Sequence, residues 1–275
     1  GFQSAVEIPK VCAWLETQAL EFPVAVLSAF RIMATEQPQK TALTAAMIAH
    51  LVLKPGAHST ESGKASLGMR VMEHLIHMFG QDVDAHYWRN ARLVLHVFVA
   101  LAPLGVVSSA SLRRTIKAFV DVLSSDGVSR DVADPAADCV IEAMCRGGTD
   151  LIQPEPGALE ALPSAREEMD AIVDGITLYG SQRSNAAMQL ISPFRLDEPH
   201  DFLDQDGFMD RVRALQSLKE HGYVRPAFLP SACDLLSVDV SPATSTAPAE
   251  QRTAHLPDLH VAPIRSTAYD ELDDD

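Results

Sequence analysis

The sequence predicts an all-α protein built as HEAT-like stacked helical hairpins, an α-solenoid, followed by a disordered acidic C-terminal tail. Three observations carry this. Apolar residues recur at three- and four-residue spacing over most of positions 1–237, and Pro, Gly and Ser clusters punctuate those runs. No convincing stretch of period-two alternation occurs. Aromatics make up only 6% of the chain, so aliphatic side chains and Met must supply the core, which suits packed helices better than a sheet.

The elements follow in order. Pro9 can open a first helix carrying Val11, Trp14, Leu15 and Leu20, and Pro23 opens a second carrying Val24, Leu27, Phe30 and Met33. From Thr41, a stripe of Leu43, Met47 and Leu51, widened by Ile48 and Val52, ends at "KPGAHSTESG". Leu67, Val71, Leu75, Met78 and Phe79 repeat the pattern up to Gly80. Trp88, Ala91, Leu95 and Phe98 share a face that Val94 and Leu101 widen, closed by Pro103 and Gly105. The next helix has Ser109 or Ser111 as its cap and Leu112, Ile116, Phe119, Val120 and Leu123 on one side. Arg113, Arg114 and Lys117 lie on its other side, as a solvated face. Val132, Cys139, Val140, Ala143 and Met144 form a helix that ends at Gly147 and Gly148. Met169, Ile172, Val173 and Ile176 form another, which ends near Gly180. Phe208, Val212, Leu215 and Leu218 make the penultimate helix, and Ala232, Leu235 and Leu236 a last short one.

About ten helices in consecutive antiparallel pairs of roughly 40 residues match the size of a HEAT-type unit, although no strict repeat motif recurs at that period. A stacked solenoid is therefore expected rather than a closed bundle. The helical scaffold spans 1–237. Residues 238–275 turn Pro-, Ser- and Thr-rich and then acidic, the composition of a linker or tail.

Charge and motif content narrow the function classes. The formal net charge of −15 opposes non-specific binding to a phosphate backbone. Cys12, Cys139, Cys145 and Cys233 show neither CxxC pairing nor paired spacing with His, which reads as buried, reduced thiols of a cytosolic or nuclear protein. No apolar run reaches about 18 residues, so no membrane partner is expected. The chain opens on Gly rather than Met, as a partial sequence would.

Dinucleotide, P-loop, nucleophile-elbow, zincin and kinase motifs are all missing from the sequence, and it is read as a non-enzyme with no catalytic, cofactor or metal residues. His74 and His77 stand i, i+3 on one helix, with His86 and His96 further on, but that spacing brings no third metal ligand. Asp197, Glu198, Asp201, Asp204 and Asp206 read as a solvated loop in which Asp204 or Asp206 caps the helix near Phe208. Tyr87 and Trp88 have the chemistry to stack on a base or cap; on a helix they more often pack between neighbours. What remains is an acidic scaffold that binds other chains, with its partner-binding residues unknown.

One segment carries a resemblance. "EEMDAIVDGITLYGSQR" is followed by "LISPFRLDEPHDFLD", then "FMDRVRALQSLKEHGY", then "VRPAFLPSACDLLS". This order resembles the end of the first helical domain in the large subunit of the nuclear cap-binding complex, a domain of the translation initiation factor 4G middle-domain class. The opening "VCAWLETQALEFPVAVLSAFRIMATEQPQKTALTAAMIAHLVL" is similar to that family's first helical pairs, and "STAYDELDDD" to its acidic interdomain linker. The resemblance implies a scaffold that acts with a small RNA-recognition-motif subunit on 7-methylguanosine-capped RNA. It implies a nuclear location with shuttling to the cytoplasm, and recruitment of mRNA splicing, export and decay factors. The alternative is a cytosolic translation or mRNA-decay scaffold that binds RNA or a helicase directly.

Overall fold

The computed structural model describes residues 7–54, 65–125, 128–152, 162–183, 207–226, 229, 231–236 and 253–259. Among them are nine α-helices and no strand: α1 (Glu7–Glu21), α2 (Pro23–Glu36), α3 (Thr41–Leu53), α4 (Leu67–Asp84), α5 (Trp88–Leu101), α6 (Ser109–Leu123), α7 (Arg130–Gly147), α8 (Leu162–Gln182) and α9 (Phe208–Glu220). Short 3₁₀ turns at Pro38–Lys40, Ala102–Leu104, Gly148–Leu151 and Cys233–Leu235 link or follow them.

The helices stack in two rows. In one, α1 packs on α3, α3 on α5, α5 on α7 and α7 on α9; in the other, α2 packs on α4 and α6 on α8. Antiparallel neighbours such as α4 and α5, α6 and α7, and α8 and α9 cross between the rows. Repetition of the same next-but-one contact is the arrangement of stacked helical hairpins, so the all-α, solenoid-like expectation holds at that level.

Helix α3 departs from the expected stripe. Eleven of its residues are buried, Ala45, Ala46, Ala49 and Leu51 among them, and only Leu43 and His50 keep partial exposure. A helix apolar on every side must have neighbours on every side, and α1, α2, α4 and α5 supply them. Small residues allow the close approach. A Cβ on Gly68 of α4 would lie 2.7 Å from backbone atoms of Leu51 and Val52, so only glycine fits this crossing.

Two helix ends also differ from expectation. Helix α4 continues through Gly80 to Asp84 because its final turn buries Val83, which is 1% exposed. The cap of α6 is Ser108, one residue before the earlier of the two expected serines. Its hydroxyl accepts from the Ser111 amide at 3.1 Å, and Ser111 Oγ donates back to the Ser108 carbonyl at 3.0 Å.

The largest difference lies in the segment expected to be tail. Residues 253–259 pack against the start of α6. The Ala254 amide donates to the Val106 carbonyl at 2.8 Å, and the Ser108 amide donates to the Ala254 carbonyl at 3.0 Å, a single parallel bridge. The Leu256 amide donates to Ser111 Oγ at 3.1 Å, while Ala254 and Leu256 join the core at 6% and 4% exposure. Polar, Pro-rich composition marks the surroundings of this strap; two apolar side chains and three of its backbone groups are enough to dock it. The rest of the expected tail lies outside the described residues.

Two stability measurements check this packing. Gly68→Ala should destabilise the chain by roughly 1–3 kcal/mol in urea unfolding, because the added methyl meets backbone that cannot turn aside. Leu256→Ala should cost roughly 2 kcal/mol and speed amide exchange selectively at Ser111 and Leu112, where the strap holds the first turn of α6.

Candidate functional site

The histidines singled out by spacing do not converge. His74 is half-buried on α4 and His77 exposed on it; His86 sits in the α4–α5 turn at φ 57°, and His96 is buried in α5. Among the described residues no group of three His, Cys, Asp or Glu side chains is placed to hold a metal ion. His77 instead lines an open groove with Glu73, Asp84 and His255, the last of these from the docked strap.

The basic face of α6 is divided by burial. Arg113 is 1% exposed, not solvated: its Nε donates to Glu168 on α8 at 2.7 Å and its Nη1 to the Leu151 carbonyl at 2.8 Å. Arg114 stays exposed and pairs with Asp258 of the strap at 3.3 Å, and Lys117 pairs with Asp121 one turn on. Arg113 and Arg114 therefore tie α6 to α8 and to the strap, while Lys117 pairs within its own helix. Trp88 packs edge-on against Phe119, with ring centroids 6.1 Å apart, while Tyr87 is 63% exposed.

Cys12 and Cys139 are buried thiols, each pushed up to about 12 mainly by desolvation, and so are unreactive at neutral pH. Burial does not extend to the other two: Cys145 is half-buried, and Cys233, in the short turn at Cys233–Leu235, is exposed. The acidic run at Asp197, Glu198, Asp201, Asp204 and Asp206 lies outside the described residues. Helix α9 begins with Gly207, at φ 64°, in the capping position.

A cluster that spacing did not reveal is centred on Asp134 in α7. Tyr179 donates to its Oδ1 at 2.5 Å; Arg183 donates to both oxygens, at 3.0 and 2.7 Å; Arg130 adds a contact at 3.0 Å. The Arg183 guanidinium also lies 4.5 Å from the centroid of the Phe208 ring, carrying the network onto α9. Burial alone would raise the Asp134 pKa, yet hydrogen bonds from Arg183 and Tyr179, with the charges of Arg183 and Arg130, hold it below the ordinary value. Asp134 is separated from Tyr179 and Arg183 by most of a hairpin, so local pattern could not connect them.

Two surface features have binding character. The first is apolar: Trp14, Leu20, Phe22, Val24 and Ile32, all more than half exposed, crowd the α1–α2 hairpin. The second is a cavity of about 190 Å³ where the Pro38–Lys40 turn, α3, α5, the end of α7 and the segment after Tyr223 meet. His96, Arg146 and Arg225 line it, with Val99 and Ala100. His96 Nε2 stands 3.0 Å from Glu142 Oε2, off the line of a good hydrogen bond, and its buried Nδ1 has no hydrogen-bonding partner among the described residues. Desolvation lowers the His96 pKa despite Glu142, so the ring is neutral near pH 7.

The Asp134 cluster yields a pH prediction. Because the native carboxyl is held below its ordinary value of 3.8, its stabilisation is complete above that value and is lost as pH falls through the lower native pKa. Asp134→Asn should cost roughly 1.5–3 kcal/mol at pH 7. Thermal melts of the two proteins should stay apart at about pH 4 and converge only as pH falls below the depressed native pKa, where the wild-type carboxyl also becomes neutral.

No protein-family model matches the chain, and no curated protein is similar to it.

Proposed function

We propose that this chain is a protein-binding helical scaffold, and more specifically the first helical domain of a nuclear cap-binding large subunit. The carrying observation is the α1–α2 hairpin, where five large apolar side chains stand more than half exposed on a chain of net charge −15. Clustered exposed apolar surface of this kind marks protein contact, and the acidic balance opposes direct capture of an RNA backbone. The finer identification is supported by the sequence resemblance. In "EEMDAIVDGITLYGSQR", Arg183 at the end of α8 bonds Asp134 on α7 and lies over Phe208 on α9, as a domain-closing segment would.

In that role the chain leaves recognition of 7-methylguanosine to a small RNA-recognition-motif subunit and presents its hairpins to mRNA splicing, export and decay factors in the nucleus. Chemistry on the cap is not assigned to it, and no catalytic residue is proposed.

Copurification tests this reading. The chain, expressed in its native sequence context with a candidate small subunit, should be retained on cap-analogue resin and released by free cap. Recovery of an RNA helicase with no dependence on cap would sink the cap-complex assignment in favour of a translation or decay scaffold. The double substitution Leu20→Glu and Phe22→Glu should cut recovery of associated factors at least tenfold while the far-ultraviolet circular dichroism stays unchanged, since both side chains are already exposed.

A further inference from the structure

The cavity bounded by Arg146 and Arg225 has the chemistry of an anion site, and its construction is not a by-product of packing. Helix α7 ends at Gly147–Gly148, and Gly148 adopts φ 50° and ψ −128°. A Cβ there would lie 2.6 Å from the Tyr223 carbonyl oxygen and 3.1 Å from Arg225 Cβ, so the glycine lets the segment carrying Arg225 lie directly against the helix end. Tyr223, fully buried at φ 64°, fixes that segment: its hydroxyl donates to Asp170 at 2.6 Å and its amide to the Leu218 carbonyl at 2.8 Å.

The guanidinium so placed is poorly satisfied. Arg225 Nη1 is 3.9 Å from Asp150 Oδ2, and its Nη2 reaches the Leu229 carbonyl only at 3.5 Å. Both contacts are at the outer limit for a group with five donors. Arg146, half-buried in the last turn of α7, makes no side-chain hydrogen bond or ion pair with any described residue. The nearest carboxylate on its own helix, Glu142, is already engaged by Arg92 at 3.0 Å and by His96. Among the described residues two guanidiniums therefore line one small cavity whose wall carries no carboxylate, with Asp150 beside Arg225 and Glu142 beside Arg146 outside that lining, in a chain that is otherwise strongly acidic.

We infer that this cavity binds one phosphoryl group, clamped between Arg146 and Arg225. One arginine fork satisfies the two oxygens of a carboxylate; two forks from different elements match a group with three or more acceptor oxygens and a charge near −2. At about 190 Å³ the cavity far exceeds the space one water needs, yet falls short of a drug-sized pocket, so it suits a single group and not a strand. Val99 and Ala100 make one flank of the wall apolar, a setting in which charge contacts are stronger than in water. The group arrives either as free phosphate or on a phosphorylated side chain of a partner. This inference is independent of the scaffold assignment, since it concerns the end of α7 and not the α1–α2 hairpin.

The test uses the 275-residue chain in titrations at constant ionic strength followed by ³¹P line broadening and calorimetry. The probes are inorganic phosphate, acetate, and a phosphoserine peptide with its unphosphorylated counterpart. Saturable binding of phosphate or of the phosphopeptide, with acetate and the unmodified peptide at least tenfold weaker, is expected. Phosphate binding alone identifies a free ligand, and binding of the phosphopeptide alone a modified partner. Arg146→Gln should weaken binding at least tenfold with unligated Tm unchanged. Arg146→Lys, which keeps the charge and stem but loses the fork, should weaken it several-fold and serves as the test if Arg146→Gln fails to fold. Equal binding of phosphate and acetate, or undiminished binding by the Arg146 variants, overturns the proposal. So does tighter binding of an unrelated single-stranded oligonucleotide with a steep salt dependence.

Discussion

The fold depends on one constraint: α3 and α5 have almost no solvent-facing side. Ala45, Ile48, Leu51 and Val52 on α3, and Val94, Leu95, Val97 and Phe98 on α5, are essentially inaccessible to water. Leaving any one of these larger side chains exposed would forfeit about 1.5–3 kcal/mol, so the two helices fold only when flanked on both sides. That requirement brings α1, α2 and α4 around α3, and sets α7 against the far side of α5. The two rows follow from it. So does the cavity, because α5 meets the end of α7 at the depth where His96 and Arg146 lie.

Beyond α7 the stack is held differently. Helices α8 and α9 carry fewer apolar positions, and charged groups share the work of attaching them. Arg113 crosses from α6 to Glu168 on α8, Asp134 gathers Tyr179 and Arg183, Arg211 reaches Asp138 at 3.0 Å, and Tyr223 bonds Asp170. A buried guanidinium loses much hydration, and its pairs give orientation more reliably than net stability. These contacts thus select the angle and register of the last hairpin, which in turn sets where Arg225 points. The strap at 253–259 does the same for α6, through the Ser108 amide at the helix start and the Ser111 hydroxyl of its first turn.

The surface separates into regions of different character. The α1–α2 hairpin is apolar and open, the groove beside His77 is bordered by Glu73 and Asp84, and the cavity at the end of α7 is locally basic. Faces of such different character select their contacts by different chemistry.

Much of this was legible from residue order. Helical periodicity located the elements, Pro23 marked the start of α2, and the paired glycines at 147 and 148 marked the end of α7. Those signals are local, since a capping group, a missing amide or a repeating apolar face acts within a few residues. What the sequence could not reveal was which polar side chains lose their water. Arg113 and Arg114 are neighbours of identical type, yet one is buried against α8 and the other exposed to the strap. Asp134, Tyr179 and Arg183 read as ordinary surface residues until two helices bring them together, and Leu256 reads as part of a linker until Ser111 offers it an acceptor. The sequence by itself determined that the chain is helical and where its helices lie. Only the tertiary structure decided which charges are paired, because burial and pairing depend on contacts between residues far apart in the chain.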